Sequence, residues 1–370
     1  MESRERGFFG KLLVFIFALL AFVGVVSMAL SVLNAYVDPN RFIWTTFFGL
    51  AFWEILIYNV LILIVLMSLK SRKAWIAVLA LLIAVPGFSK SYSRGKKVEA
   101  ASSSIRIMSY NVHNFDHVDG KTDRESFAYQ VMNMVRDQAP DILCCQEFAG
   151  FLPKVTRQAC IDSFAVGAGF QYVYYNRKRN YGGNVIFANY PIAKVDENSG
   201  FGQENIYGVM VSVDAGEKGR FYVANVHLLS YAITDTEIDI LTSPSERQEF
   251  DTIGKSVLHK LGYAFQKRSD EFKKVLEGMP EIDAPVIVCG DFNEPPLSYN
   301  YRKMQKAGFV DTFTKVGHGI KPTYAGKLPL LRIDYIWAND GITPLDFKRH
   351  RWKASDHYPI MLDFAINEKK

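Results

Sequence analysis

Two regimes of hydrophobic patterning meet near residue 88. Before that point apolar residues run with few interruptions and no amphipathic period. Residues 12–33 form the first run, long enough to cross ~30 Å of hydrocarbon at a helical rise of ~1.5 Å per residue. Residues 42–69 form a second run, which carries Glu54 and Asn59. Such side chains are costly in lipid and are expected to face other helices. Residues 74–88 form a third run, shorter than the ~17–25 residues of a usual span but free of charge. A cleaved leader is a poor description of the first run, because its apolar core is too long and more membrane-type sequence follows.

Beyond residue 88 the pattern changes twice. Residues 89–104 are rich in Ser, Lys and Gly and read as a flexible linker. From Ile105 onward, short β-branched or alternating runs predict strands at 105–110, 141–147, 171–176, 184–188, 208–213, 220–226, 286–288 and 331–338. A further strand is predicted from Ser355. Apolar residues at helical spacing predict helices over 123–138 and 265–276, the second basic and amphipathic. The connection after His227, residues 228–264, is long and of mixed character. It reads as a lid, a membrane-facing element or an insertion with its own helix.

Charge refines the first regime. The turn between the first two apolar runs has only Arg41, whereas the N-terminal tail and the 70–73 loop are rich in Lys and Arg and are expected in the cytoplasm. Three crossings would place the large domain outside the cytoplasm. Two would place it inside, which Lys90, Arg94, Lys96 and Lys97 would suit better. The uncharged third run favours three crossings, and so a multi-pass protein of the cell membrane. Net charge over the whole chain is +5, compatible with phosphate-rich partners but modest for a tight DNA binder. The four cysteines lack metal-ligand spacing and read as small core residues.

One feature recurs through the second regime. Apolar strands end on residues able to do chemistry: Asn111, Glu147, His227, Asp291 with Asn293, Asp334, and Asp356 with His357. Any one of them, alone, is an ordinary cap or surface residue. Together they supply acids, bases and carboxamides at the rim of a sheet, where loops build sites on a rigid scaffold.

The motifs Met108-Ser-Tyr-Asn-Val112, Gln146-Glu147, Asn225-Val-His-Leu228, Gly290-Asp-Phe-Asn293, Arg332-Ile-Asp-Tyr-Ile336 and Ser355-Asp-His-Tyr-Pro359 follow in an order that resembles the endonuclease/exonuclease/phosphatase superfamily. The resemblance covers the chain from about Ile105 to the C-terminus. It implies an α+β fold, a four-layer α/β/β/α sandwich of two mixed sheets, here preceded by an N-terminal transmembrane helical region. The chain is thus divided into a membrane region (1–88), a linker (89–104) and a catalytic domain (105–370). The resemblance also implies phosphate-ester hydrolysis with a divalent cation, Mg2+ or Mn2+. Carried over motif by motif, it makes Glu147 the main metal ligand, with Asn111 beside it and Asp356 as a further carboxylate. His357 is implied as the acid/base or phosphate-polarising histidine, Asp334 as its orienting partner and Asp291 as the group that activates water. Asn293 is implied as a phosphate-oxygen donor and His227 as a second histidine at the scissile phosphate. The residue chemistry agrees, since a hard cation needs only a few oxygen ligands and an Asp-held imidazole keeps a defined tautomer.

The substrate is less constrained, because the family shares chemistry across many substrates. Arg177 and Arg179, in a basic, Gly-containing loop over 177–183, and Asn184 just after it are candidate substrate contacts. A membrane anchor favours a phosphodiester of a lipid headgroup or similar surface-bound ester. A tethered nuclease acting on DNA or RNA is the alternative, and a catalytically inactive, membrane-anchored binding module is the alternative of another class. No protein partner follows from the sequence.

Overall fold

The structure is a computed structural model that describes residues 7–98, 104–175, 182–195, 207–231, 233–242, 247–279, 284–328, 330–352 and 354–367. It divides into two units, Met1–Ser91 with Glu294–Lys303, and Tyr92–Asn293 with Met304–Lys370.

The first unit is built from α1 (Phe8–Leu33), α2 (Trp44–Leu50), α3 (Phe52–Ser68) and α4 (Ala74–Ser91). Helices α1 and α4 are long and apolar enough to cross a membrane; α2 and α3 add a third candidate only if taken as one span. They are bent by 70°, so the expected continuous helix over 42–69 is broken. The break falls at Ala51, two residues after Gly49, the ordinary residue least able to hold a helix. Asn59 faces a neighbouring helix, as expected. It is fully buried, and its amide donates to Ile55 O at 2.8 Å and Gly24 O at 3.4 Å. The approach needs Gly24, where a Cβ would lie 2.2 Å from Asn59 Oδ1. Glu54 does not follow the expectation and is exposed. The stretch Glu294–Lys303 belongs with these helices. Leu297 joins the cluster of Met28, Phe52, Ala80 and Ala84, and its carbonyl accepts from Asn34 Nδ2 at 2.7 Å.

The second unit holds two six-stranded mixed sheets. In spatial order the first is β13 (Ile342–Arg349), β14 (Ile360–Ile366), β2 (Ile105–Asn111), β3 (Ile142–Phe148), β5 (Gly183–Ala188) and β4 (Tyr172–Tyr175). The second is β10 (Val310–Asp311), β12 (Asp334–Ala338), β9 (Val286–Asp291), β8 (Arg220–His227), β7 (Gly208–Asp214) and β6 (Ile192–Lys194). In each sheet one central pair is parallel, β2 with β3 and β8 with β9. The other pairs are antiparallel.

Alternation along the strands builds the layers. Ile105, Ile107 and Cys144 face inward and meet Val211, Val223 and Cys289 of the opposite sheet. Their neighbours Met108, Tyr110, Leu143 and Cys145 face outward, against Phe127 and Val131 of α5 (Arg124–Gln138) and Phe164 of α6 (Arg157–Ala168). On the far side, Phe272 of α8 (Arg247–Gly278) meets Phe292 with ring centroids 6.3 Å apart, and Phe292 packs on Tyr335 and Trp337 of β12. Each such buried side chain contributes about 1.5–3 kcal/mol. All four cysteines are buried and unbridged.

Three expectations are corrected. The linker is in part structured: β1 (Tyr92–Arg94) pairs with β11 (His318–Ile320), and Val98 N donates to Leu345 O at 2.8 Å. The helix predicted over 265–276 extends back to Arg247, and a separate α7 (Asp235–Thr242) precedes it. The strand expected from Ser355 starts at Ile360, because Ser355 to Tyr358 form a turn tied to residues 323–325.

Candidate active site

The site lies where strands of both sheets end. Parallel pairing of β8 and β9 sets His227 opposite Asp291, and antiparallel pairing of β9 and β12 sets Asp334 opposite the same Asp291. In the other sheet, β2 delivers Asn111 beside Gln146, one residue before Glu147. Glu147, Asp291, Asn293, Asp356 and His357 line one cavity of about 240 Å³. Asn111, His227 and Asp334 bond or pack directly against them.

The backbone bends sharply here. Glu147, Asn293 and Asn114 have φ of 51°, 52° and 52°, uncommon for residues with side chains and characteristic of functional sites. At Gly290 the demand is stronger. Its φ is 138°, and a Cβ would lie 1.9 Å from Val226 O. Only glycine allows β9 to approach β8 this closely just before Asp291.

His357 Nδ1 lies 2.9 Å from Asp334 Oδ2, and its Nε2 lies 3.6 Å from Asp291 Oδ2. Burial disfavours the imidazolium, but Asp334 and Asp291 outweigh it and raise the His357 pKa well above the ordinary histidine range. Asp291 is 1% exposed, and burial pushes its carboxyl up to about 6, against the opposing pull of His357. Asn293 locks Asp291 by donating from its backbone N to Oδ1 at 2.8 Å and from Nδ2 to Oδ2 at 3.1 Å. Its amide also donates to Leu228 O at 3.0 Å.

Glu147 is held by two carboxamides: Asn111 Nδ2 reaches Oε1 at 3.0 Å and Asn114 Nδ2 reaches Oε2 at 2.8 Å. Burial would raise its carboxyl, but His227, the Asn111 hydrogen bond and His113 prevail and hold it below the usual range. His227 Nε2 is buried and stands 3.5 Å from Glu147 Oε1 and 3.7 Å from Asp291 Oδ2, too long for hydrogen bonds. A phosphoryl oxygen or water near both carboxylates would find this nitrogen available.

The donor set fits a hard divalent cation. Asp291, Asp334 and His357 bring ligand atoms within 4.8 Å of one another, but they are internally paired, and an imidazolium repels a cation. Glu147 and Asp356 are the better oxygen donors. Their side chains are 21% and 28% exposed, which leaves coordination positions to water, as such cations prefer. Asn111 turns its NH2 toward Glu147 and Asp291, and its Oδ1 accepts from His113 N at 2.9 Å.

Arg177 and Arg179 lie outside the described residues. Asn184 is placed otherwise than expected. It is buried on β5, its amide donates to Asn225 O at 2.9 Å, and it does not line the cavity. It belongs to an inter-sheet network in which Gln146 Nε2 donates to Asn225 Oδ1 at 2.7 Å and Asn225 Nδ2 donates to Cys145 O at 2.8 Å. Sequence reasoning missed His113, Asn114 and Ser355 as site residues. His113 lines the cavity, with Nδ1 3.9 Å from Asp356 Oδ1. Ser355 Oγ donates to Asn111 O at 2.9 Å and so ties the last motif to the first. Asn114 had a local signal, since Asn tolerates the left-handed conformation that its turn requires.

Comparison with known proteins places this geometry. Residues 11–91 match a domain family of unknown function, DUF8431. Among relatives, the uncharacterized protein YbhP of Escherichia coli K12 is 23% identical over 286 residues, covering 71% of this chain and 97% of its own. Among solved structures, the 3′ phosphatase NExo from Neisseria, bound to a product DNA hairpin, is 16% identical with a TM-score of 0.47, over 70% of this chain and 99% of its own. The human Nocturnin catalytic domain, with bound sulfate, is 16% identical with a TM-score of 0.46, over 72% and 96%. The profile of the Endonuclease/Exonuclease/phosphatase family matches residues 108–357, from the strand that delivers Asn111 to His357 itself, and the chain belongs to that family of metal-dependent phosphoric ester hydrolases.

Proposed function

We propose that the protein is a membrane-anchored phosphodiesterase that cleaves a lipid headgroup ester, or a similar surface-bound phosphodiester, by in-line attack of water. The observation that carries this reading is the convergence of side chains from both sheets on Asp291. That carboxylate faces His357 at 3.6 Å and His227 at 3.7 Å, while His357 is backed by Asp334 at 2.9 Å.

In this reading Glu147, Asn111 and Asp356 hold a Mg2+ or Mn2+ ion. When bound, that ion draws charge from the phosphoryl oxygens and eases the approach of an anionic nucleophile. Asp291, aligned by Asn293, takes the proton of the attacking water. His357, whose Nδ1–H is accepted by Asp334, is held as the imidazolium and directs its second proton, on Nε2, toward the phosphoryl group. His227 offers Nε2 as a second donor. Asn293 first orients Asp291, and it reaches a phosphoryl oxygen by exchanging its Asp291 bond. The N-terminal helices keep the site near the bilayer at high effective concentration.

The test is a panel of phosphate esters with the full-length protein in detergent, with and without Mg2+. Glu147→Gln is expected to weaken apparent Mg2+ affinity at least tenfold and to leave the fold intact by circular dichroism. Preference for DNA or RNA over lipid-type diesters would favour the nuclease reading. Absent hydrolysis together with absent Mg2+ binding would leave a binding module.

For topology we propose three crossings, with the catalytic unit outside the cytoplasm. A cysteine placed at the exposed Lys97 is expected to react with a membrane-impermeant maleimide in intact cells. Reaction only after lysis would place the unit inside.

A further inference from the structure

The cavity that holds the catalytic side chains has a second, different wall. Beside the carboxylates and histidines, the same cavity is lined by Ile233 and Ile238, from the segment that follows His227, and by Tyr324, Leu328 and Leu331, from the loop that precedes β12. These two segments come from distant parts of the chain, yet Lys327 Nζ meets Asp239 Oδ1 at 2.6 Å, each next in sequence to a wall residue, Leu328 and Ile238.

The first segment is firmly built. Thr234 and Glu237 cap α7 reciprocally: Glu237 N donates to Thr234 Oγ1 at 3.2 Å, and Thr234 N donates to Glu237 Oε2 at 2.9 Å. Lys260 of α8 reaches Glu237 Oε1 at 2.7 Å. The Arg268 guanidinium stacks 4.1 Å over the ring of Tyr231, which also lines the cavity, and donates to Leu229 O at 2.9 Å. Isoleucines held on such a support, beside charged chemistry, are placed for contact with apolar matter.

We propose that this wall is a specificity element that seats a compact alkyl group esterified to the phosphate being cleaved, on the side that does not leave. The proposal rests on the phosphodiesterase reading above and narrows its substrate class. The cavity, at about 240 Å³, falls below the ~300–1,000 Å³ of usual small-molecule sites. It therefore takes the first carbons next to the phosphate and does not enclose a pair of long acyl chains. Continuity with the catalytic groups identifies the occupant as part of the substrate.

The experiment uses full-length protein in detergent with Mg2+ and a series of p-nitrophenyl alkyl phosphate diesters, from methyl to butyl, which share one leaving group. p-Nitrophenyl thymidine 5′-phosphate serves as the polar, nucleotide-like arm. In the native protein kcat/KM is expected to rise about fourfold per methylene that enters the wall, following the transfer free energy of a buried CH2. The thymidine ester is expected to do no better than the methyl ester. Ile238→Ala, and independently Leu328→Ala, should flatten the gradient, read within each variant as the ratio of the butyl to the methyl rate. Turnover of the methyl ester with a flat gradient in the native protein overturns the wall and leaves the phosphodiesterase standing, as does a preference for the thymidine ester. A gradient that persists in both variants also overturns the wall. Failure to cleave any ester sinks the phosphodiesterase reading, and this inference with it.

Discussion

His357→Ala is expected to lower kcat on bis-(p-nitrophenyl) phosphate by about 10²–10⁴-fold, the range spanned by losing one positioned acid/base. The imidazole is 5% exposed, and its Nδ1 is held by Asp334 at 2.9 Å. Asp334→Asn should cost a comparable factor by removing the carboxylate that holds Nδ1 and stabilises the imidazolium, although Asp334 touches no substrate. The pH profile gives an independent check. Asp291 must be ionised to take a proton, and burial sets its pKa at about 6. Activity should therefore rise with pH through that value, or below it once a cation is bound nearby. His357 must keep its proton, and its pKa is raised by Asp334 and Asp291 against burial. Activity should therefore fall again only at alkaline pH, above the ordinary histidine range. Removing His357 should abolish that upper limb and move the lower one to higher pH, because His357 holds the Asp291 carboxyl down. Wild-type turnover in His357→Ala, or an unchanged upper limb, would sink the assignment.

Gly290→Ala is expected to cost about 3–5 kcal/mol of stability, as overpacking and left-sided backbone strain add. The new Cβ would sit 1.9 Å from Val226 O and 2.8 Å from Val226 C, both main-chain atoms that cannot step aside without parting β8 from β9. Gly308 is the control. It also has a positive φ, 87°, but no heavy atom lies within 4 Å of its Cβ position. Gly308→Ala should cost only about 1–2 kcal/mol. Urea midpoints of the two variants decide the matter, and equal losses would show that close strand approach is not what Gly290 serves. Because His227 and Asp291 are paired across the same strands, Gly290→Ala should also lose activity at temperatures where it remains folded.

Much of the fold was legible because its signals are local. The helix over 123–138 could be read from apolar spacing, and Asp123 caps it by accepting from Ser126 N at 2.9 Å. The hairpin of β7 and β8 showed in its alternation. By contrast, β13 was missed. Pro344 interrupts it, and the structure answers with a register shift between Pro344 and Asp346 on an edge strand, where a proline is tolerated. The first strand, Tyr92–Arg94, hid in a polar stretch because its partner, His318–Ile320, lies more than 200 residues away.

The site divides along the same line. That strands close on or next to Asn111, Glu147, His227 and Asp291 is a property of the sequence, and so is the apolar character of residues 12–33 and 74–88, whereas Asp334 and His357, expected at strand ends, instead open β12 and precede β14. Which of these residues meet is a property of the tertiary structure. Strand registers set His227 and Asp334 on either side of Asp291, Ser355 reaches Asn111, and Asn184 is committed to the Asn225 backbone. The apolar lining beside the catalytic groups is likewise invisible until Ile233 and Ile238 meet Tyr324, Leu328 and Leu331 around one cavity. Hydrophobic period and turn chemistry act over a few residues and can be read directly. Pairing between strands is selected by the free energy of the whole core, so the partners of each side chain emerge only when both sheets are assembled.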